Sequence, residues 1–300
     1  MKKRIAKGIL FLVPLVLLLA LLPVNERLKF VGLKDDCMNK GVWMYDRIVT
    51  NDKPIDIAFV GSSKTINGID DRLLSESLAD QEVVNLGYCR FGRNLQLVVV
   101  RNLVENKAVK LLILEVRETE KTSGHPIFPY VASSTDVLLP YPFFNKHIAE
   151  DVWNHFSYKL ELTQDAMFSP TKEIPTTKEL YGYVAARDTA SASELNSGSK
   201  HLKQPAFQQK LQDNFALKHV EKISALCKEN GVTLKLLFLP SFHKANQENL
   251  NASNYSSYGS LLFPPDSIFA NPNHWFDRNH LNEAGAIKLS TWLGQKIHLD

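Results

Sequence analysis

Four short apolar runs do most to limit the folds open to this chain: residues 55–60 (IDIAFV), 83–86 (VVNL), 111–116 (LLILEV) and 232–239 (VTLKLLFL). Runs of that length, apolar at successive positions, suit strands covered on both faces, the environment of a parallel sheet. Helical patterning lies between and after them. Residues 70–78 and 94–106 read as helices, and residues 206–230 as a long amphipathic one. In that last stretch Phe207, Leu211, Phe215, Val220, Ile223 and Cys227 fall at helical spacing, and Gly231 follows as a stop. A final helix is predicted over residues 282–296. The alternation predicts an α/β fold with a doubly wound, flavodoxin-like parallel sheet flanked by helices. In such sheets ligands sit beyond the carboxyl ends of the strands.

The alternation lapses over residues 119–205, a stretch rich in proline and aromatic residues: Phe128, Tyr130, Tyr141, Phe143, Phe144, Trp153, Phe156, Tyr181 and Tyr183. This segment reads as an insertion between the third and fourth strands. Its aromatics suit either a small satellite core or a surface that stacks on sugars and covers the strand ends. The polar run 189–200 reads as an exposed loop. The expected organisation is an N-terminal anchor at residues 1–24, a connector at 25–53 and one domain at 54–300 that carries the insertion.

The chain has 300 residues, 44% of them hydrophobic, enough for one full core with an insertion. Its net charge of +3 is local. Without Lys2, Lys3, Arg4 and Lys7, 31 basic residues face 32 acidic ones. A near-neutral body gives nucleic-acid binding no support. Those four bases precede residues 8–24, GILFLVPLVLLLALLPV, an uncharged run of 17 residues. As a helix it would reach about 26 Å, close to a hydrocarbon core of about 30 Å. The basic flank orients the N-terminus to the cytoplasm and places the body outside it, in the periplasm or at the cell surface. A cleaved signal peptide is the other reading, although small-x-small cleavage residues are hard to find after Ala20. Cys37, Cys89 and Cys227 are too few for a disulfide scaffold. A single Cys37–Cys89 bridge and isolated buried thiols are both open. No cluster has zinc spacing, and no cofactor is expected.

The first apolar run ends in a small-residue turn, Gly61-Ser62-Ser63-Lys64-Thr65. A phosphate loop there needs two glycines, and Ala58 and Ser63 stand in their places. The dinucleotide fingerprint fails as well. A nucleophilic serine is the other option, and it needs an adjacent base oriented by an acid. Asp277 and His280 supply such a pair three residues apart, just before the last predicted helix. A tight turn can bring that carboxylate to one ring nitrogen and leave the other for a serine. Ser63 could instead cap the following helix, and Gly87 could serve only a turn. His243 and His274 fall near the same sheet end without a motif behind them.

Gly-Ser-Ser after the first strand, Asn85-Leu86-Gly87 after the second, and Asp277-x-x-His280-Leu281-Asn282 before the last helix resemble the SGNH (GDSL-like) hydrolases. The resemblance covers roughly residues 54–118 and 206–300. It is narrower toward membrane-anchored, extracytoplasmic members linked to acyl modification of envelope or secreted polysaccharides. It implies Ser63 as nucleophile, His280 as base and Asp277 as orienting acid. It implies an oxyanion hole from the N–H groups of Ser63 and Gly87. The more familiar turn has Asp in the middle position, where Ser62 stands, and Ser62→Ala is therefore the expected silent control. The family's Asn after the third strand is absent. Arg117 in that stretch either replaces its donor function or pairs with Glu118. The implied partners are the membrane, an acylated glycan or small acyl ester, and a membrane-bound acyltransferase as acyl donor. A non-catalytic envelope protein that keeps the fold for binding or assembly is the competing reading. On the anchor reading, protease added to intact spheroplasts digests the body and spares the N-terminus; protection of the body would overturn this topology.

Overall fold

The computed structural model describes residues 14, 24–33, 35–78, 81–117, 120, 124–138, 147–168, 178–196, 206–242 and 255–297, with 206–215 described by their backbone alone. The expected anchor, residues 8–24, lies outside them except for Pro14 and Val24. Among the described residues no helix is long and apolar enough to cross a membrane.

The fold is α/β, with a five-stranded, all-parallel sheet flanked by helices. Its strands are β1 (Ile57–Gly61), β2 (Val83–Gly87), β3 (Leu111–Val116), β4 (Thr233–Phe238) and β5 (Ser260–Leu262), in the order β2-β1-β3-β4-β5. Every residue of β1, β2 and β3 is buried, as expected of largely apolar strands covered on two sides; Asn85 and Glu115 are their buried polar members. One face carries Ile57, Phe59, Leu111, Ile113 and Leu237, which pack with Leu74, Leu289, Leu293 and Trp275. Successive side chains point to opposite faces, so Ala58, Val60, Leu112, Leu114 and Leu236, all buried, belong to the other. Helix Arg93–Asn106 packs against helix Ala206–Glu229. Helix Glu283–Lys296 packs against helices Ser63–Gly68 and Asp71–Ser77.

The chain divides into two compact units. One holds residues 43–125 and 177–300 and contains the sheet; the other holds residues 1–42 and 126–176. The expected insertion therefore contributes to both, since residues 178–196 fall in the sheet unit. Helix Ile148–Phe168, in the other unit, was not anticipated from the sequence. Its Tyr158 hydroxyl donates to the carbonyl of Lys29 at 2.7 Å, and Tyr130 meets Tyr158 edge-on at 5.1 Å. Phe128 and Phe156 are buried there, as a satellite core requires, whereas Trp153 is exposed. Tyr141, Phe143 and Phe144 lie outside the described residues. Cys37 and Cys89 are each disulfide-bonded, and Cys227 is free and buried.

In the sheet unit, residues 182–190 run as an extended strap. Asp71, fully buried, accepts the N–H groups of Gly182 at 2.6 Å and Tyr183 at 3.1 Å. Val184 N–H donates to Ile66 O at 3.2 Å, and Ala190 N–H to Trp275 O at 2.8 Å. The strap thus joins the helix after β1 to the loop before the last helix. The expected loop at 189–200 contains a short helix, Ala192–Asn196, whose Leu195 is buried.

Gly61 ends β1 for a steric reason. A Cβ there would overlap Thr65 Oγ1 and stand 2.5 Å from Glu115 Oε2. At Gly68 a Cβ would make only ordinary contacts of 3.7 Å with Leu281 and Leu289. Gly61→Ala should therefore destabilise the protein by about 1–3 kcal/mol, the usual cost of overpacking, while Gly68→Ala leaves it near wild type. Denaturant midpoints measure both, and equal effects would refute the steric account.

Candidate active site

Ser62 follows β1 in extended backbone (φ −105°, ψ −162°), and its Oγ accepts the Lys64 N–H at 3.1 Å. Ser62 is thus the N-cap of helix Ser63–Gly68, and Ser63 is the first helical residue. The capping role considered for Ser63 belongs to its neighbour. Ser63 is half-buried, and its Oγ lies 2.7 Å from Nε2 of His280. Nδ1 of His280 lies 2.7 Å from Oδ2 and 2.9 Å from Oδ1 of Asp277. Serine, imidazole and carboxylate form one hydrogen-bonded chain across 217 residues of sequence.

The protonation pattern follows from the partners. Burial pushes the Asp277 carboxyl up, but hydrogen bonds from the His280 ring and the Asn279 N–H outweigh it. The group is held below its ordinary value. An ionised carboxylate only accepts, so Nδ1 donates to it; in the neutral form of the ring Nε2 is then the acceptor for the Ser63 hydroxyl.

Local sequence explains the turn. Asp277 Oδ1 accepts the N–H groups of Asn279 at 2.7 Å and His280 at 3.0 Å, the side-chain-to-backbone closure that favours aspartate in turns. Phe276 N–H donates to His280 O at 2.9 Å, and Trp275 and Leu281 form an antiparallel bridge. Asn282 then caps the last helix through the Gly285 N–H at 3.1 Å. Lys64 ties the turn to the helix that begins at Ser63. Its buried ammonium donates to Leu239 O at 2.9 Å and Ser241 Oγ at 3.1 Å, and Ser241 donates to Asn279 Oδ1 at 3.1 Å.

The expected oxyanion groups are placed differently from one another. Ser63 N–H is at the first helical position and has no acceptor among the described residues. Gly87 N–H is engaged: it donates to Asn85 Oδ1 at 3.0 Å. Gly87 is needed for close approach, since a Cβ would stand 2.9 Å from Ser62 O and Ile66 N. Arg117 bonds to Glu115 through Nε at 2.6 Å; Glu118, the other partner considered, lies outside the described residues. An Nη2 proton of Arg117 goes to Ser62 Oγ. His274 is occupied at the carbonyl of Ile268, 2.7 Å away, and His243 lies outside the described residues.

Sequence reasoning missed Glu115. It is fully buried and accepts from Ser62 N–H at 2.6 Å, Ser62 Oγ at 2.9 Å, Thr65 Oγ1 at 2.7 Å and Arg117. Burial pushes its carboxyl up, but Arg117, the Ser62 N–H, Lys64 and Thr65 together hold it at about 2. The same bonds bear on Ser62→Ala, the variant expected to keep most activity, because the substitution removes them. Ser62 is completely buried, and its hydroxyl carries both a cap and the Glu115 bond.

Among the described residues no group of three His, Cys, Asp or Glu side chains could hold a metal ion. No protein-family model matches the chain, and no curated protein matches it.

Glu115 makes stability pH-dependent in a defined window. Its carboxyl drops from an ordinary 4.5 to about 2 on folding. Its contribution is therefore complete above the unfolded value and is lost as pH falls through the folded one. The stability advantage of wild type over Glu115→Gln should shrink by on the order of 3 kcal/mol between these limits. Urea titrations at several pH values measure it, and a gap that is independent of pH would contradict the assignment.

Proposed function

We propose that the chain is a serine-dependent acyl-ester hydrolase or O-acyltransferase that works through an acyl-enzyme. The single observation that carries this reading is the Ser63–His280–Asp277 chain, with hydrogen bonds of 2.7 Å on both sides of the imidazole. Three further features support it. The strand order β2-β1-β3-β4-β5 is that of a doubly wound, flavodoxin-like sheet. Ser63 follows the carboxyl end of a central strand, where such sheets place their ligands. The turn and the Asp-x-x-His-Leu-Asn segment resemble those of SGNH hydrolases. The same resemblance suggests a glycan of the envelope or a secreted polysaccharide as substrate. With the apolar run at residues 8–24 it also suggests a membrane-anchored body outside the cytoplasm and a membrane-bound acyltransferase as donor.

In the proposed mechanism His280 Nε2 takes the Ser63 proton as Oγ adds to the ester carbonyl. Asp277 holds the ring in the productive tautomer and stabilises the imidazolium. Collapse of the tetrahedral adduct returns the proton to the leaving alkoxide and leaves an acyl-Ser63 ester. Water then accepts the acyl group in a hydrolase, or a sugar hydroxyl in a transferase, with His280 again as base.

Labelling with a serine-directed fluorophosphonate tests this. Ser63→Ala should abolish the label and lower turnover by several orders of magnitude. Asp277→Asn should keep the fold and lose on the order of 10⁴-fold, by analogy with the worked serine-protease triad. Ser63→Ala/His280→Ala should be little worse than Ser63→Ala alone, because the groups act as a unit. A folded wild-type protein that takes no label and cleaves no ester would favour the binding or assembly role.

A further inference from the structure

Catalysis by Ser63 would leave a negative charge on the former carbonyl oxygen, and such a charge needs more than one preorganised donor. The Ser63 N–H is one. The Gly87 N–H is already spent on Asn85 Oδ1. A second donor must therefore come from elsewhere at the carboxyl end of the sheet.

Arg117 is the first residue beyond β3 and reaches the residue next to the nucleophile. Its guanidinium is fixed from three sides. Nε donates to Glu115 Oε1 at 2.6 Å, Nη2 donates to Ser62 Oγ, and the plane lies over the Phe91 ring at 4.3 Å from its centroid. An arginine has five N–H donors in a planar fork. These bonds use two of them, so the Nη1 pair and one Nη2 proton are left over among the described residues. The side chain is 14% exposed, whereas Glu115 is sealed. Glu115 and Ser62 thus hold the Nε–Nη2 edge of the fork, and the remaining donors belong to a group already in contact with the turn.

We infer that Arg117 is the second oxyanion donor of this site and that Glu115 is its positioning residue. The inference rests on the reading of Ser63 as nucleophile. As Oγ bonds to the carbonyl carbon, the π pair moves onto oxygen, and Arg117 donates a hydrogen bond to that oxygen without giving up its proton. When the adduct collapses, the C=O bond re-forms and the interaction weakens. A fixed guanidinium costs no reorganisation at that moment, which is where its advantage over a mobile one lies. Glu115 touches no substrate. It holds the rotamer of Arg117 and, through Ser62 and Thr65, the turn that carries Ser63.

Steady-state kinetics on a small aryl ester with the full-length protein test the inference. Arg117→Ala should lower kcat by about 10²-fold, the usual loss for one oxyanion donor, with KM changed by less than about threefold. Millimolar guanidinium chloride should restore part of that rate in Arg117→Ala and none in Ser63→Ala. Arg117→Lys keeps a charge beside Glu115 but lacks the fork, so it should fold and still lose about tenfold or more in kcat. Glu115→Gln should lower kcat with fluorophosphonate labelling slowed but still at Ser63. If Arg117→Ala, or Arg117→Lys where the alanine variant does not fold, keeps kcat within about threefold of wild type, Arg117 is not the donor. A large loss without rescue by guanidinium, in a variant that melts like wild type, would also overturn it. If Ser63→Ala itself stays active, the nucleophile reading fails first, and the inference fails with it.

Discussion

Glu115 puts an ionised carboxylate at the carboxyl end of a sheet whose neighbouring positions are apolar, and an unpaired charge there would cost several kcal/mol. The surrounding geometry follows from satisfying that group. Ser62 must present its N–H and its hydroxyl, Thr65 its hydroxyl, and Arg117 its Nε. Gly61 must lack a side chain, because the carboxylate occupies the space a Cβ would need. Once those bonds are made, the path from β1 into helix Ser63–Gly68 is set. A hydroxyl that follows Ser62 then points toward whatever the opposite loop supplies.

That loop is held with comparable redundancy. Asp277 closes its own turn, Asn282 caps the helix behind it, and Lys64 spans from helix Ser63–Gly68 to the end of β4. The strap at 182–190 ties Ile66 at one end and Trp275 at the other. Each tie alone is worth about 1 kcal/mol or a little more. Together they bring a serine and a histidine to hydrogen-bond distance from segments that share no local sequence. On the proposed reading of the site, loose joints of about 1 Å would cost a large part of the rate.

The strands were legible because parallel strands covered on both sides read as unbroken apolar runs, and β3 was placed at Leu111–Val116 from that pattern alone. β5 was not, because Ser260–Leu262 is a three-residue edge strand with no fully buried position. Helix Ile148–Phe168 was missed because its large side chains point both ways. Phe156 and Leu162 are buried, whereas Trp153 is 72% and Phe168 81% exposed. The Asp277–His280 pair was legible because one turn contains both members. The Arg117–Glu115 contact was not read from the sequence, where only the adjacent Glu118 was weighed as a partner. In extended chain the residue two positions back shares a face, which lets Glu115 meet Arg117. Glu115 itself left no signal, since one acidic residue near the end of an apolar strand looks like any solvated end.

Two adjacent hydroxyls in the Gly-Ser-Ser turn have opposite chemical states, and their partners decide which. Ser62 Oγ donates to Glu115 and accepts from both Lys64 N–H and Arg117, so its one donor and two lone pairs are all in use. It is also completely buried. To attack a carbonyl it would have to break a charge-assisted bond in a buried position, and the base it touches is a carboxylate held at about 2. Ser63 Oγ is half-buried and lies against Nε2 of His280, whose Nδ1 is engaged by Asp277 on the far side of the ring. Of the two hydroxyls, that one has both solvent access and an imidazole partner. A carboxylate from β3, with Arg117 bound to it, thus stands at the base of the turn and fixes the state of the first hydroxyl.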